Sequence, residues 1–500
     1  MQASPFSDPE AGDPASTMGF AELLEAAAAA GRSLEDAAAG RQEEDAVLSL
    51  AIPLAPLDPL LALPQLDSLD GEGTGGFRFL WDGAPGLCLA AAGRCNSLEL
   101  SGPRRFELAQ RFSSLSLSRL GCAPQGAPPL ARARVLLAFA FFDSPLRQDS
   151  GAPGVQAVLP RWQLSRQGRH CWLRLHRVLG GDVTARTVAE ELWETARRLE
   201  RGLGERSLGP RDAVDPPRLA LRARGSSWHN AYRSALERAL ELVEGGELRK
   251  LVLAVRQRLQ LEGPLDPLQL LAQLRRSQPG SCRFLWQQSH GEALLGASPE
   301  RLLTLRQGQL RSDALAGTAP LGELADGLLH SAKDRHEHEL VVETITAVLR
   351  RAGLSPHRPR HPRLARHGSL VHLHSPITAR VGSEQIQRLL GLAEALHPTP
   401  AVAGLPRREA MTWLRSLEPF ERGHYAAPIG WIDSEGEADL RVAIRSGTLR
   451  DGHLDLTAGA GLVRGSRPER ELQEVALKLG VLQQQLSLAT EAVRQGAGRW

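Results

Sequence analysis

Three things are missing from this sequence: a decisive net charge, a long apolar run and a cysteine framework. Each absence removes a class of function. Lysine plus arginine number 60 against 57 aspartate plus glutamate, leaving a formal net charge of +3 over 500 residues. So small an excess argues against nucleic acid as the main partner. No apolar stretch approaches the ~18 residues needed to span a membrane, so no membrane partner is expected. The opening residues, MQASPFSDPEAGDP, carry neither a basic segment nor an apolar one, and a secretory signal is not expected. The five cysteines (Cys88, Cys95, Cys122, Cys171 and Cys282) are odd in number and scattered, without metal-ligand spacing. They read as reduced thiols, which makes a cytoplasmic location the expectation. The run His336-Glu337-His338-Glu339 is not a zinc-protease helix, because that chemistry needs histidines at i and i+4 and position 340 is leucine.

What is present is an ordinary globular composition, 42% apolar and 23% charged, on a chain long enough for two or three domains or one large intertwined unit. Residues 1–45 are rich in Ala and Glu, with helical patches near 20–30 and 34–39, and predict a loosely docked helical extension. Residues 46–217 contain the strand formers VLLAFAFFD (135–143), VLPRW (158–162) and HCWLRLHRV (170–178), then an amphipathic helix over 184–202. The polar Gly/Pro-containing stretch 204–217 is the expected internal boundary. Residues 218–490 hold most of the chemistry-bearing side chains. Arg78-Phe79-Leu80-Trp81 recurs as Arg283-Phe284-Leu285-Trp286, each copy followed by a turn and an apolar strand, which implies two related halves.

Within the second half, a helix over 228–243 ends at Gly245-Gly246, and Lys250 opens the strand KLVLAVR. A surface lysine is one reading; a lysine pressed against a core strand could act as a base. LLGASPERL (294–302) ends a strand in a tight turn that would present Glu300 to a cavity as an acid. ALAGTAP follows with Gly317 and Thr318. A helix starts at Ser331, and on it Glu337 shares a face with Lys333, Asp334 and Val341 and could point inward as a carboxylate ligand. LVHLHSP presents His372, and HPTPAVAG (397–404) is turn-rich around Ala401. ADLRVAIRSGTLR reads as one strand with Arg441, Ala443 and Arg445 on a single face, closed by an Asp451-Gly452 hairpin turn. Last comes AGAGLVRGSRPERELQEVALK: a glycine loop at Gly459 and Gly461, Ser466 as a helix N-cap, Glu471 and Glu474 on one helix face, and Lys478 one turn further on. This set suits a small carboxylate-bearing ligand bridged to the protein by Mg²⁺, although a solvated charged helix would have the same residues.

Nine collinear segments, KLVLAVR, LLGASPERL, ALAGTA, KDRHEHELV, HLHSP, HPTPAVAG, EPFERGHYAAPIGWID, VAIRS and AGAGLVRGSRPERELQEVALK, resemble the chorismate-utilising enzymes in order and spacing. The resemblance runs from about residue 228 to 486 and more diffusely back to about residue 47. It implies an α/β (α+β) fold: a single large unit of two intertwined antiparallel sheets with outer helices, as in anthranilate synthase component I-like enzymes. Within the family the pattern is most similar to isochorismate synthase. By that resemblance Lys250 activates water for attack on ring C2, and Glu300 protonates the departing C4 hydroxyl. Glu337 and Glu474 bind Mg²⁺, with Glu471 acting through water. Tyr425 and Arg445 grip the enolpyruvyl carboxylate, assisted by Lys478 and the amides of Gly459, Ala460 and Gly461. His372, Gly317, Thr318 and Ala401 line the ring. The chain has only two tyrosines, and Tyr425 falls where this pocket expects one.

Three alternatives are weighed. Salicylate synthase shares the catalytic residues but eliminates pyruvate, and its branch usually carries Thr near position 401, where this chain has Ala401. Anthranilate and aminodeoxychorismate synthases are disfavoured by Lys250, since members adding ammonia typically carry Gln there, and no glutamine amidotransferase partner is expected. A non-catalytic chorismate-binding protein is disfavoured by intact Lys250, Glu300, Glu337 and Glu474. A monomer acting on chorismate, in quinone rather than siderophore or salicylate synthesis, completes the expectation.

Overall fold

Twenty strands, joined by an unbroken succession of pairings, carry the chain in the computed structural model, which describes residues 18–38, 46–68, 76–83, 86–145, 152–207, 223–225, 227–289, 291–322 and 326–486. Two long neighbours, Cys88–Leu100 and Val155–Gln167, form the hub. From Cys88–Leu100 one arm runs through Arg78–Asp82, Cys282–Ser289, Glu292–Ser298, Ser446–Arg450 and His453–Leu462 to Lys250–Leu261. From Val155–Gln167 a second arm runs through Arg134–Phe139, Pro428–Asp433, Ala438–Val442, Arg301–Arg306 and Gln309–Pro320 to Leu370–Arg380. Among the described residues every ladder is antiparallel except the short pairing of Val47–Leu54 with Leu120–Ala123. Strands of each half therefore complete the sheets of the other, which is the intertwined α/β arrangement the resemblance implies.

The two arms close on an aromatic core. Phe77, Phe79 and Trp81 pack with Phe284, Trp286, Ile429 and Trp431 in one buried cluster. The Phe79 and Trp286 rings meet edge to face at 6.0 Å between centroids. Each buried aromatic contributes roughly 4–6 kcal/mol of hydrophobic transfer before chain entropy is counted.

The repeated tetrapeptide lies at the centre of this arrangement. Its two copies are paired antiparallel, Phe79 opposite Trp286, Leu80 opposite Leu285 and Trp81 opposite Phe284, so the halves meet about a local two-fold. A second echo accompanies the first. Leu57-Asp58-Pro59-Leu60 and Leu265-Asp266-Pro267-Leu268 each open a helix, Pro59–Asp67 and Pro267–Ser277. In both, the Asp carboxylate caps the amide two residues on and Pro occupies the first turn, where its missing N–H costs nothing.

Helices cover the outside. Helix Ala332–Arg351 lies on strands Gln309–Pro320 and Leu370–Arg380, and helix Pro468–Gln483 lies on His453–Leu462. The first is capped by the Ser331 hydroxyl, which accepts from the Asp334 amide, and has Arg350 and Arg351 in its last turn. Strand Lys250–Leu261 opens with six buried residues, Lys250 and then an apolar run covered on both faces.

Four details differ from the sequence reading. Among the described residues the N-terminal extension holds one helix, Phe20–Ala38, firmly docked: Leu23 and Ala27 are fully buried, and the Phe20 ring lies tilted against Trp193 at 5.5 Å between centroids. Helix Ala185–Ser207 runs on past position 202, and most of the boundary expected over 204–217 lies outside the described residues. ADLRVAIRSGTLR is two strands, because the chain leaves one arm at Val442 and joins the other at Ser446. Arg445 sits in the break with φ +51, off the face that holds Arg441. Finally, Arg467 rather than Ser466 is the N-cap of the last long helix, and the Ser466 hydroxyl instead accepts from the Val463 amide.

Candidate active site

The two arms and two of the outer helices line a cleft that opens to solvent. Its acidic flank begins with Lys250, fully buried at the start of its strand, whose Nζ lies 2.9 Å from Glu337 Oε1. Glu337 reaches it from helix Ala332–Arg351. Burial opposes the Glu337 charge, but Lys250 and Lys333 hold its carboxyl below the ordinary range. Gly461 makes this pair sterically feasible. A Cβ there would fall 2.2 Å from Glu337 Oε1 and 3.1 Å from Lys250 Cε, so the position must be bare. Gly459 and Gly461 therefore belong to a strand, paired with Ala254 and Val252, and are not a loop as the sequence reading had it. Ala460 between them turns its side chain into the apolar core.

Helix Pro468–Gln483 supplies the rest of this flank. Glu471, fully buried, pairs with Lys333 at 2.6 Å, and Glu474 pairs with Lys478 at 2.7 Å. Burial, followed by repulsion from Glu474, pushes the Glu471 carboxyl up to about 7. The Lys478 ammonium also donates to the Gly459 carbonyl at 2.7 Å, which fixes its head at the cleft wall.

Glu300, placed just past strand Glu292–Ser298 and 3% exposed, also lines the cleft. The Ser298 hydroxyl fixes the turn by donating to the Val442 carbonyl at 2.6 Å. Burial raises the Glu300 carboxyl to about 7, against the pull of Lys250 and a hydrogen bond from Thr399 at 3.4 Å. A neutral carboxylic acid near physiological pH is a proton donor held ready.

Beside it, Arg445 contacts His372 Nε2 through one terminal nitrogen, while the other, Nη1, is buried without a partner. His372 Nδ1 lies 3.0 Å from the Gly317 carbonyl. Burial and the neighbouring Arg445 keep the ring neutral, so Nδ1–H donates to Gly317 and Nε2 accepts from Arg445. An unsatisfied guanidinium N–H aimed at a cleft suits a carboxylate of the ligand.

Twelve expected residues line the cleft together: Glu300, Gly317, Thr318, Glu337, His372, Ala401, Tyr425, Arg445, Gly459, Gly461, Glu474 and Lys478. Lys250 and Glu471 stand immediately behind them through their ion pairs, and Ala460 does not contribute its side chain. Two partners were missed. Lys333 had its signal in the face it shares with Glu337, and Thr399 sits inside the HPTPAVAG segment.

Whether the flank suits a divalent cation can be judged from its atoms. Among the described residues no three His, Cys, Asp or Glu groups converge in a ready coordination shell. Yet all donors are hard carboxylate oxygens, Glu471 Oε2 is buried without a partner, and the carboxylates lie close enough to raise one another. That donor set fits Mg²⁺.

The family model for chorismate binding enzymes matches residues 32–487. The chain belongs to that family. Among the chain's curated relatives, a salicylate biosynthesis isochorismate synthase of Pseudomonas aeruginosa is 41% identical over 263 residues, covering 51% of this chain and 54% of that protein. An isochorismate synthase of Escherichia coli is 36% identical over 258 residues, covering 50% of this chain and 66% of that protein. The matched part thus spans about half to two thirds of those relatives. The solved menaquinone-specific isochorismate synthase of Escherichia coli superposes with a TM-score of 0.69 at 26% identity, covering 93% of this chain and all of that one. Anthranilate synthase component I from Streptococcus pneumoniae, at 19% identity and a TM-score of 0.62 over 79% of this chain and 92% of that one, shares the fold.

Proposed function

We propose that the protein is an isomerase that converts chorismate to isochorismate. The observation that carries this is Glu300, a buried carboxyl raised to about 7 in the cleft wall and close enough to the buried Lys250 to feel its charge. In this reading Lys250 is the base that takes a proton from water as its oxygen adds to ring C2. Glu300 gives a proton to the hydroxyl leaving C4, so water is regained and the net change is an isomerisation. Tyr425 and Arg445 hold the enolpyruvyl carboxylate with help from Lys478, and His372, Gly317, Thr318 and Ala401 line the ring. Fixed positioning by these groups supplies much of the rate.

Glu337 and Glu474, with Glu471 behind, would hold Mg²⁺, whose charge would neutralise the substrate's ring carboxylate. Removal with EDTA should abolish turnover and added Mg²⁺ restore it; turnover indifferent to both would remove the metal from the reading.

Purified protein given chorismate and Mg²⁺ should release isochorismate with little pyruvate, because Ala401 offers no hydroxyl to hold the ring for a second step. Pyruvate rising in step with chorismate loss, read by a lactate dehydrogenase-coupled assay, would make it a salicylate synthase instead. We assign the product to quinone synthesis, supported by the superposition of a menaquinone-specific enzyme over 93% of this chain and all of that one. The reading further takes the protein as a cytoplasmic monomer needing no amidotransferase subunit; its five cysteines are free, and no described helix is long and apolar enough to cross a membrane.

A further inference from the structure

The acidic flank sets three lysines against three carboxylates, and one of these lysines has no part in the proposed reaction. Lys250 pairs with Glu337 and serves as the base, while Lys478 pairs with Glu474 at the ligand's edge. Lys333 pairs with Glu471 at 2.6 Å, joining helix Ala332–Arg351 to helix Pro468–Gln483. It also lies near enough to Glu337 and Glu474 to feel both charges. Its side chain is 23% exposed, whereas that of Lys250 is 0%. The Lys333 head can therefore swing out to water on its flexible stem, a move closed to Lys250.

We propose that Lys333 is a resident counter-ion that a divalent cation must displace. Without metal, its ammonium neutralises Glu471, whose other oxygen is buried and unpartnered, and bridges the two helices across the flank. With metal, Glu471 turns to the cation or its water, and Lys333 moves to solvent. The metal concentration the protein requires is thus set by competition with one of its own side chains. This inference rests on the reading that Glu337, Glu471 and Glu474 receive Mg²⁺.

The test is the melting temperature of the full chain across a Mg²⁺ titration, alongside the Mg²⁺ dependence of turnover, for wild type, Lys333→Gln and Lys333→Arg. Lys333→Gln should melt lower without metal, regain the difference with it, and half-saturate at about tenfold lower Mg²⁺, the scale of one opposed charge at a partly exposed site. Lys333→Arg keeps the charge but grips Glu471 with a two-pronged guanidinium, so it should need more Mg²⁺ than wild type. Lys333→Gln with an unchanged Mg²⁺ requirement would overturn the inference. So would Lys333→Arg matching or undercutting wild type, since charge alone, without occupancy of Glu471, would then suffice. Either result leaves the metal reading standing. A wild type indifferent to Mg²⁺ in both melting and turnover would sink the two together.

Discussion

Glu300 should show its environment in two separate measurements. As a proton donor with a pKa of about 7, it should make kcat/KM fall as pH rises above that value. Glu300→Gln should lose at least ~10² in turnover with a smaller change in KM. In the folded state this carboxyl keeps its proton to about 7, whereas the ordinary value is 4.5. Between those values the folded state binds the extra proton. Its contribution to stability is therefore full below the lower value and is lost as pH climbs to the upper one. Denaturant titrations across that window should slope downward in wild type and flatten in Glu300→Gln. Lys250→Ala should likewise lose at least ~10² while still binding chorismate; turnover near that of wild type would place the base elsewhere. Both residues were legible in the sequence because each follows or opens a strand inside a recognisable segment. The pairing of Lys333 with Glu471 was not, since the two lie 138 positions apart and meet only through packed helices.

At the scale of the element, Gly461 separates fold from function. Its strand conformation suits any residue, so Gly461→Ala should fold, losing about 1–3 kcal/mol to overpacking. The new methyl would displace Glu337 from Lys250, and turnover should drop at least tenfold. Activity equal to wild type would mean that this pairing is not needed. Ser331→Ala, which removes the cap of the helix carrying Lys333 and Glu337, should cost about 1 kcal/mol in chemical denaturation. Periodicity located this helix and most strands correctly. It failed at the 442–446 crossing, where an alternating pattern runs straight through a change of sheet partners. It also misjudged Gly459 and Gly461, because strand glycines kept bare for a neighbouring backbone or a carboxylate look the same in sequence as glycines of a loop.

For the whole molecule, the joint between the halves is polar at its rim as well as aromatic within. Arg275 bridges Asp58 and Asp82, each at 2.6 Å, and Arg283 reaches Asp82 at 2.7 Å. Burial works against the charge of Asp82, yet the two guanidiniums hold it down to about 2, from an ordinary 3.8. That stabilisation is present above the ordinary value and is lost as pH falls toward 2. Arg275→Ala should destabilise by about 1–3 kcal/mol and shift acid unfolding upward in pH. The repeated RFLW was visible in the sequence and implied related halves. The accompanying Leu-Asp-Pro-Leu pair was equally visible and went unread, and direct pairing of the two copies needed the structure. That pairing has a consequence for synthesis. While the chain leaves the ribosome, Arg78–Asp82 and Arg134–Phe139 must each wait for a partner strand made about 200 to 300 residues later. For the tens of seconds that translation of this interval takes, two apolar strands have open edges, the state most prone to join a neighbouring chain. Nascent chains stalled before residue 282 should therefore be captured by holdase chaperones and released once Cys282–Ser289 and Pro428–Asp433 have emerged.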